Sequence, residues 1–111
     1  MTSIEWANAA FRQLEALPAP LAFAVVEQVD LLASFPEMGA HIASKSRVLA
    51  GCRQLIVSRD RRVIYEIEGE DEDQTVYVLA VQHCRQRLPS ARELKRRRAA
   101  DESSRGDDGE T

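Results

Sequence analysis

The sequence predicts an α+β fold in which an N-terminal helical hairpin packs on one face of a small twisted antiparallel sheet. Three apolar runs rich in β-branched and aromatic residues follow one another at residues 54–57, 63–67 and 76–81. Each has the length of a strand and is bounded by charged residues or glycine, which is typical of consecutive antiparallel strands. Two segments with helical spacing of apolar residues precede these runs. A chain of 111 residues is long enough for one such domain.

The helical hairpin is predicted between residues 8 and 34. Asn8 is suited to cap the first helix, in which apolar residues recur at three-residue steps from Phe11 onward. We expect this helix to stop before Pro18. Pro20 suits the first turn of the second helix, because its missing N–H would have no partner there.

The other segments are interpreted from their composition and from the positions of their glycine and proline residues. Residues 4–6 are predicted to form a short edge strand, residues 36–39 to break the second helix, and the chain from there to Gly51 to form a loop. The second hairpin of the sheet is expected to turn through the acidic residues 69–74. A basic segment, residues 90–100, has the composition of a helix.

Charge divides the chain into two parts. Residues 1–98 are predicted to form the single domain, whereas residues 99–111 are predicted to be a disordered acidic tail. The tail holds five carboxylates and one arginine, a net charge of −4, although the whole chain has a net charge of only −3. The local fields, rather than the overall charge, are therefore expected to decide what the domain binds.

Several classes of protein are excluded by what the sequence lacks. No stretch approaches the roughly 18 consecutive apolar residues of a membrane span, and the N-terminus lacks the pattern of a secretory signal. A cytoplasmic location without membrane contact is therefore expected. Cys52 and Cys84 have neither CxxC spacing nor a histidine-rich context, so we predict reduced thiols, no metal and no cofactor.

Arginines cluster at the ends of the predicted strands. Arg53 is at the start of the first strand. The turn into the second strand contains Arg59, Arg61 and Arg62, and the end of the third strand is followed by His83, Arg85 and Arg87. Side chains on one face of a three-stranded sheet converge across roughly 10 Å. We therefore expect Arg53, Arg62 and Arg85 to line one anion-binding surface.

The order of the elements resembles a known family. The motifs FPEMG, CRQLIVSRDRRVIYEI and VYVLAVQHCRQ, within residues 4–88, are similar to those of the RelE/ParE superfamily of bacterial type II toxins, whose architecture is microbial ribonuclease-like. The resemblance implies a toxin that a cognate antitoxin neutralises, in a heterodimer or heterotetramer. RelE-like members cleave mRNA in the ribosomal A site without a metal, whereas ParE-like members inhibit DNA gyrase.

For the nuclease alternative, the resemblance assigns roles to individual residues. Arg62, His83 and Arg85 would be catalytic, and Arg53, Arg59, Arg61 and Arg87 would bind substrate phosphate. Metal-free cleavage needs an acid, a base and positive charge at the phosphorane. Imidazole exchanges protons near neutral pH, and guanidinium groups bind phosphate bidentately. The sequence departs from the RelE-like pattern because the expected lysine pair is missing.

Simpler interpretations stand beside these roles. The turn arginines are predicted to be solvated unless they contact a ligand, and His83 is suited to ending its strand. Tyr65 alternates with apolar residues and is predicted to be a core aromatic with a bonded hydroxyl. The missing lysines also suit a third possibility, a degenerate member that binds an antitoxin without catalysis. On balance the sequence favours mRNA cleavage over gyrase inhibition.

Overall fold

A computed structural model describes residues 2–98 of the chain. Its centre is a five-stranded sheet with the strand order β1-β5-β4-β3-β2. The strands are β1 (Ser3–Trp6), β2 (Ala40–His41), β3 (Arg53–Val57), β4 (Arg61–Glu68) and β5 (Thr75–His83). The three strands predicted from apolar runs are β3, β4 and β5, and they are antiparallel neighbours as expected. The predicted α+β class is confirmed.

The predicted all-antiparallel sheet is wrong at one edge. The edge strand predicted at residues 4–6 is β1, but it pairs in parallel with β5, from Ser3 opposite Thr75 to Trp6 opposite Val78. Parallel pairing is possible because the helical hairpin follows β1 and provides the long crossover that parallel strands need. The sheet is therefore mixed, and the hairpin follows its first strand.

The helical hairpin consists of α1 (Asn8–Glu15) and α2 (Ala19–Leu31). Helix α1 contacts β5 and α2 contacts β3, and both helices contribute to one hydrophobic core. The predicted cap of α1 needs correction. Asn8 is the first helical residue, and its side chain makes no capping hydrogen bond, since Ala7 takes the N-cap position. Phe11 is 47% exposed, because α1 turns Ala10 and Leu14 toward the sheet instead.

The segment predicted as a loop up to Gly51 contains two short elements, the edge strand β2 and helix α3 (Arg47–Ala50). The Ser46 side chain caps α3 by accepting a hydrogen bond from the Leu49 N–H, which explains why so short a helix forms. A single turn of 3₁₀-helix (Asp71–Asp73) closes the acidic hairpin between β4 and β5. The predicted acidic tail, residues 99–111, lies outside the described residues.

A last helix, α4 (residues 91–98), packs on the sheet. Leu94 is buried, and Arg97 donates a hydrogen bond to the Leu79 carbonyl at 2.8 Å. Arg98 lies 4.6 Å above the Tyr77 ring and forms ion pairs with Glu66 and Glu68. Those two acids belong to β4 and hold α4 against the sheet.

The registers of the strands decide which side chains share a face. Arg53 is opposite Tyr65, whereas Arg62 is opposite Ile56 on one side and Gln82 on the other. Because successive side chains along a strand alternate, Arg62 and Glu66 share one face and Tyr65 lies on the other. Helix α4 covers part of the Arg62 face, and the segment after α2 contacts the Tyr65 face. Within residues 2–98, no helix is long and apolar enough to cross a membrane.

Candidate functional site: a basic end of the sheet

One end of the sheet brings together six of the seven predicted site residues. The turn between β3 and β4 lies beside the segment after β5, because Arg61 is opposite His83 and the Cys84 N–H donates to the Asp60 carbonyl at 2.8 Å. We call residues 58–62 and 83–87 the basic sheet end. It contains five arginines and one carboxylate, hence a net charge of +4 with neutral histidine. The predicted site residues it holds are Arg59, Arg61, Arg62, His83, Arg85 and Arg87.

Arg62 is bonded inside this end of the fold. Its Nη2 donates to the Cys84 carbonyl at 2.7 Å and to the Gln86 carbonyl at 2.9 Å, and its Nη1 reaches Gln54 Oε1 at 3.4 Å. A hydrogen bond from a charged guanidinium to a carbonyl oxygen contributes more to stability than a hydrogen bond between neutral groups. Arg62 therefore holds the segment after β5 in place, and this contact occupies the two terminal nitrogens that a phosphate would use.

His83 lies between a backbone amide and a carboxylate. Its Nδ1 accepts a hydrogen bond from the Arg85 N–H at 3.0 Å, so a neutral ring carries its proton on Nε2. That Nε2 is 3.7 Å from Asp60 Oδ2, and Arg61 Nη1 is 3.1 Å from the same oxygen, in an ion pair without hydrogen-bond alignment. Asp60 thus orients one arginine and is placed to pair with His83 when the imidazole is protonated.

Three arginines of the basic sheet end point into solvent. Arg59, Arg85 and Arg87 are exposed, and within residues 2–98 their side chains take part in no ion pair or hydrogen bond. Charge that is neither paired nor buried is available to an anionic or acidic partner. The predicted solvation of Arg59 fits this exposure, whereas Arg61 and Arg62 are bonded to neighbouring groups.

The backbone at the tip of this end is strained. Ser58 and Arg59 have positive φ angles of 52° and 70°, a region that favours glycine or asparagine. A non-glycine residue held there costs on the order of 1 kcal/mol, and such outliers occur often at functional sites. Arg59 therefore places a cation at the turn between β3 and β4.

Arg53 is the predicted site residue that does not join this group. Its Nη1 donates to the Gly39 carbonyl at 2.7 Å and to the Glu37 carbonyl at 3.2 Å. It lies on the Tyr65 face at the start of β3, whereas Arg62 lies on the opposite face near the other end of that strand pair. The expected convergence of Arg53, Arg62 and Arg85 on one surface is therefore wrong for Arg53, which fixes the segment after α2 instead.

The structure adds residues that the sequence reasoning did not assign to the site. Gln86 Oε1 accepts a hydrogen bond from the His83 N–H at 2.8 Å, and Gln82 Nε2 donates to the Arg87 carbonyl at 3.2 Å. Asp60 also belongs to this group. An aspartate inside a basic turn is a detectable signal, but the glutamines carry none, because their partners are backbone groups.

The acids of the β4–β5 hairpin do not neutralise the basic sheet end. From Arg61 to Glu68 the chain runs seven strand positions along β4, about 23 Å. This is more than twice the Debye length of about 8 Å at physiological ionic strength. The domain therefore carries a positive end and a negative end that act independently.

Three groups elsewhere in the fold have raised pKa values. Burial raises the pKa of the Cys52 thiol to about 11, and burial likewise raises the pKa of Tyr65. Hydrogen bonding to Glu68 raises the pKa of Arg98 in α4. No group of three or more potential metal ligands occurs within residues 2–98.

Solved structures similar to this chain are bacterial toxins. The chain is 30% identical to a chain of the RelBE2 toxin–antitoxin complex from Mycobacterium tuberculosis, with a TM-score of 0.61 over 73% of this chain and 95% of that one. A YoeB/ParE toxin from Agrobacterium tumefaciens (14% identity, TM-score 0.61, 73% and 97% covered) and a chromosomal ParDE system from P. aeruginosa (22%, 0.54, 75% and 96%) share the fold. The comparison with curated proteins gave no significant match.

These similarities define the class as a small toxin of toxin–antitoxin systems. The sequence model of the family described as "ParE toxin of type II toxin-antitoxin system, parDE" matches residues 4–88. The chain belongs to this family and is the toxin of a type II toxin–antitoxin system, as the sequence motifs indicated. The match ends before α4.

Proposed function

We propose that this toxin inhibits its target by binding it, that the target is DNA gyrase, and that the basic sheet end makes the contact. This reverses the order that the sequence alone favoured, in which mRNA cleavage came first. The membership of the ParE family supports gyrase as the target. A cytoplasmic location follows from this proposal, since gyrase acts there.

The observation that carries the proposal is how two arginines predicted for the nuclease site, one catalytic and one phosphate-binding, are bonded. Arg62 donates to two backbone carbonyls of its own fold, and Arg53 donates to two others on the opposite face. A phosphorane needs donors that are free and converge on one point. What remains available is a set of exposed arginines at one end of the sheet, which suits recognition of an acidic or anionic surface better than catalysis.

One observation favours mRNA cleavage as the second candidate. His83 is half-buried beside Asp60, and Arg61 contacts the same carboxylate. A carboxylate that orients an imidazole is a recurring arrangement in general acid–base catalysis. This pair would supply the proton transfer, although the lysines of RelE-like sites are missing.

Two assays on purified toxin separate the candidates. We expect inhibition of DNA supercoiling by gyrase, and no cleavage of mRNA on programmed ribosomes. Replacing Arg59, Arg85 and Arg87 with glutamine removes three surface contacts worth about 0.5 kcal/mol each, so the inhibitory concentration should rise about tenfold. Arg12→Gln, an exposed arginine on α1, is the matched control and should change nothing.

Ribosome-dependent cleavage that His83→Gln abolishes, with gyrase unaffected, would refute the proposal in favour of the nuclease. Absence of both activities, and of growth arrest on expression, would indicate the degenerate member instead. Growth arrest with DNA damage and intact mRNA is the cellular outcome we expect.

The partner in the cell is proposed to be a cognate antitoxin. The M. tuberculosis relative was solved as a toxin–antitoxin complex, which supports a heterodimer or heterotetramer for this chain. Co-expression with the neighbouring small reading frame, followed by measurement of the mass in solution, tests the partner and its stoichiometry. Failure of that protein to co-purify or to relieve growth arrest would contradict its assignment.

A further inference from the structure

A second group of exposed cations lies on α4 and α3. Arg92, Lys95 and Arg96 are spaced three and four residues apart in α4, which places them on adjacent turns of its solvent side, about 5–6 Å from one another. Arg47 of α3 lines the same cavity as Lys95, a cleft of about 460 Å³ between the two helices and the sheet. All four side chains are exposed. We call these four residues the helical basic band.

The cations of the helical basic band are not neutralised by their own fold. Within residues 2–98 their side chains form no ion pair and no hydrogen bond. The nearby acids of β4, Glu66 and Glu68, are paired with Arg98 instead. Glu93 is the one exposed carboxylate of residues 91–98. The band therefore presents four positive charges beside one negative charge, a field that attracts anions.

The helical basic band adjoins the basic sheet end. Arg87, the last residue of the basic sheet end, is five positions before Arg92, so the Cα atoms of these two residues are at most about 18 Å apart. The two surfaces are therefore neighbours, and each contains exposed cations without a partner in the described part of the chain. The band also reaches beyond residue 88, where the match to the toxin family ends.

The composition of the band indicates which partner it fits. The exposed large apolar side chains of residues 2–98 lie on the helical hairpin, on the segment after it and on β3, and none lies on α3 or α4. A protein interface is centred on apolar and aromatic anchors, and single-stranded nucleic acid stacks its bases on aromatic side chains. Duplex DNA requires only cations placed against its phosphates, which carry about one charge per 3.4 Å along each strand.

We propose that the helical basic band binds the phosphate backbone of duplex DNA without reading its sequence, while the basic sheet end contacts gyrase. The toxin then holds both the enzyme and the DNA on which the enzyme acts. Two linked contacts on one complex strengthen each other, because the second forms at a high effective concentration. The inference rests on the proposed function for the identity of the protein target, but the contact with DNA is measurable without that target.

Fluorescence anisotropy of a labelled duplex of about 20 base pairs, roughly two helical turns, tests the contact with the full chain alone. The variant Arg92→Gln, Lys95→Gln, Arg96→Gln removes three charges and keeps Arg97 and Arg98, which attach the helix to the sheet. Each lost phosphate contact reduces the slope of log affinity against log salt by about 0.9. The slope should therefore fall by about 2.7, and the affinity near 0.1 M salt by at least about tenfold.

A matched control lowers the net charge by the same amount elsewhere. Arg12→Glu together with Ala19→Glu changes the charge by three units at exposed positions of the helical hairpin, and the slope should change by less than about one unit. Circular dichroism checks that both variants fold like the unmodified chain. All measurements use the full chain, so the carboxylates of residues 99–111 are present in each of them.

Four outcomes would overturn the proposal. The first is no binding of the duplex at low salt, and the second is equal weakening by the variant and the control, which would mean that only the overall charge matters. The third is tighter binding of a single-stranded RNA of the same length, which would assign the band to RNA. The fourth is a strong preference for one duplex sequence, because contact with the backbone carries no sequence information.

The supercoiling assay keeps this inference apart from the proposed function. The variant of the helical basic band should inhibit gyrase severalfold more weakly, although it binds the isolated gyrase subunits as tightly as the unmodified chain does. If DNA binding is absent while substitution of Arg59, Arg85 and Arg87 still relieves inhibition, the proposed function stands and this inference is wrong. If the toxin binds DNA through α4 but does not inhibit gyrase, the contact with DNA stands and the proposed function is wrong.

Discussion

The hydroxyl of Tyr65 should contribute more to stability than a single hydrogen bond. It donates to the Pro36 carbonyl at 2.7 Å and accepts from the Gly39 N–H at 2.9 Å, while the ring is fully buried. Tyr65→Phe keeps the ring but removes both bonds and leaves the buried Gly39 N–H without an acceptor. A buried donor without a partner costs about 1–3 kcal/mol, so the free energy of unfolding should fall by about 2–3 kcal/mol.

Urea unfolding measures this change, with an unchanged m-value as the sign that two-state behaviour persists. Arg53 donates to the Gly39 and Glu37 carbonyls of the same segment, so Tyr65→Phe and Arg53→Met should be coupled by at least about 0.5 kcal/mol in a double-mutant cycle. Arg12→Met, on the surface of α1, should combine additively. A loss below about 0.5 kcal/mol for Tyr65→Phe would refute the reasoning.

Three further predictions concern stability. Arg59→Gly relieves the positive φ of that turn residue and should raise the free energy of unfolding by about 1 kcal/mol in urea titration; a decrease would show that the arginine is not strained. The folded-state pKa of Cys52, about 11, is above its ordinary value of 9.0. The contribution of the neutral Cys52 thiol to the free energy of unfolding is therefore complete below pH 9 and is lost as the pH rises through about 11. Cys52→Ala should therefore flatten the stability profile in that window, and an unchanged profile would contradict burial as the cause. Arg98→Gln removes the ion pairs with Glu66 and Glu68 and should speed amide hydrogen exchange in α4 severalfold while β4 stays protected; equal exchange in the variant would show that other contacts hold the helix.

The sheet centre and its main aromatic residue could be predicted because their signals are local. The runs that became β3, β4 and β5 are dense in β-branched residues, and Tyr65 sits in the alternation of a buried strand. Its predicted role as a core aromatic with a bonded hydroxyl is confirmed. Strand β1 was expected as an edge, but its partner was not predictable, since Ser3 and Thr75 are 72 positions apart in the chain and no local pattern links them.

The length of the turn between β3 and β4 determines on which face of the sheet Arg53 lies. Three residues, Ser58 to Asp60, separate Val57 from its partner Arg61. With this spacing, odd-numbered residues of β3 pair with odd-numbered residues of β4 and lie on the same side of the sheet. A turn longer or shorter by one residue would have placed Arg53 on the face of Arg62. The sequence alone does not determine this length, because the turn holds non-glycine residues at positive φ where sequence rules expect asparagine or glycine.

The parallel pairing at the sheet edge has a consequence for biosynthesis. The N-terminal strand is the first part of the chain to be made, yet its hydrogen-bonding partner is among the last strands to be translated. Closing this loop must await synthesis of the chain through β5, which ends at His83. Until β5 has been translated, the outer strand β1 therefore has no hydrogen-bonding partner, and the basic sheet end lacks residues 83–87.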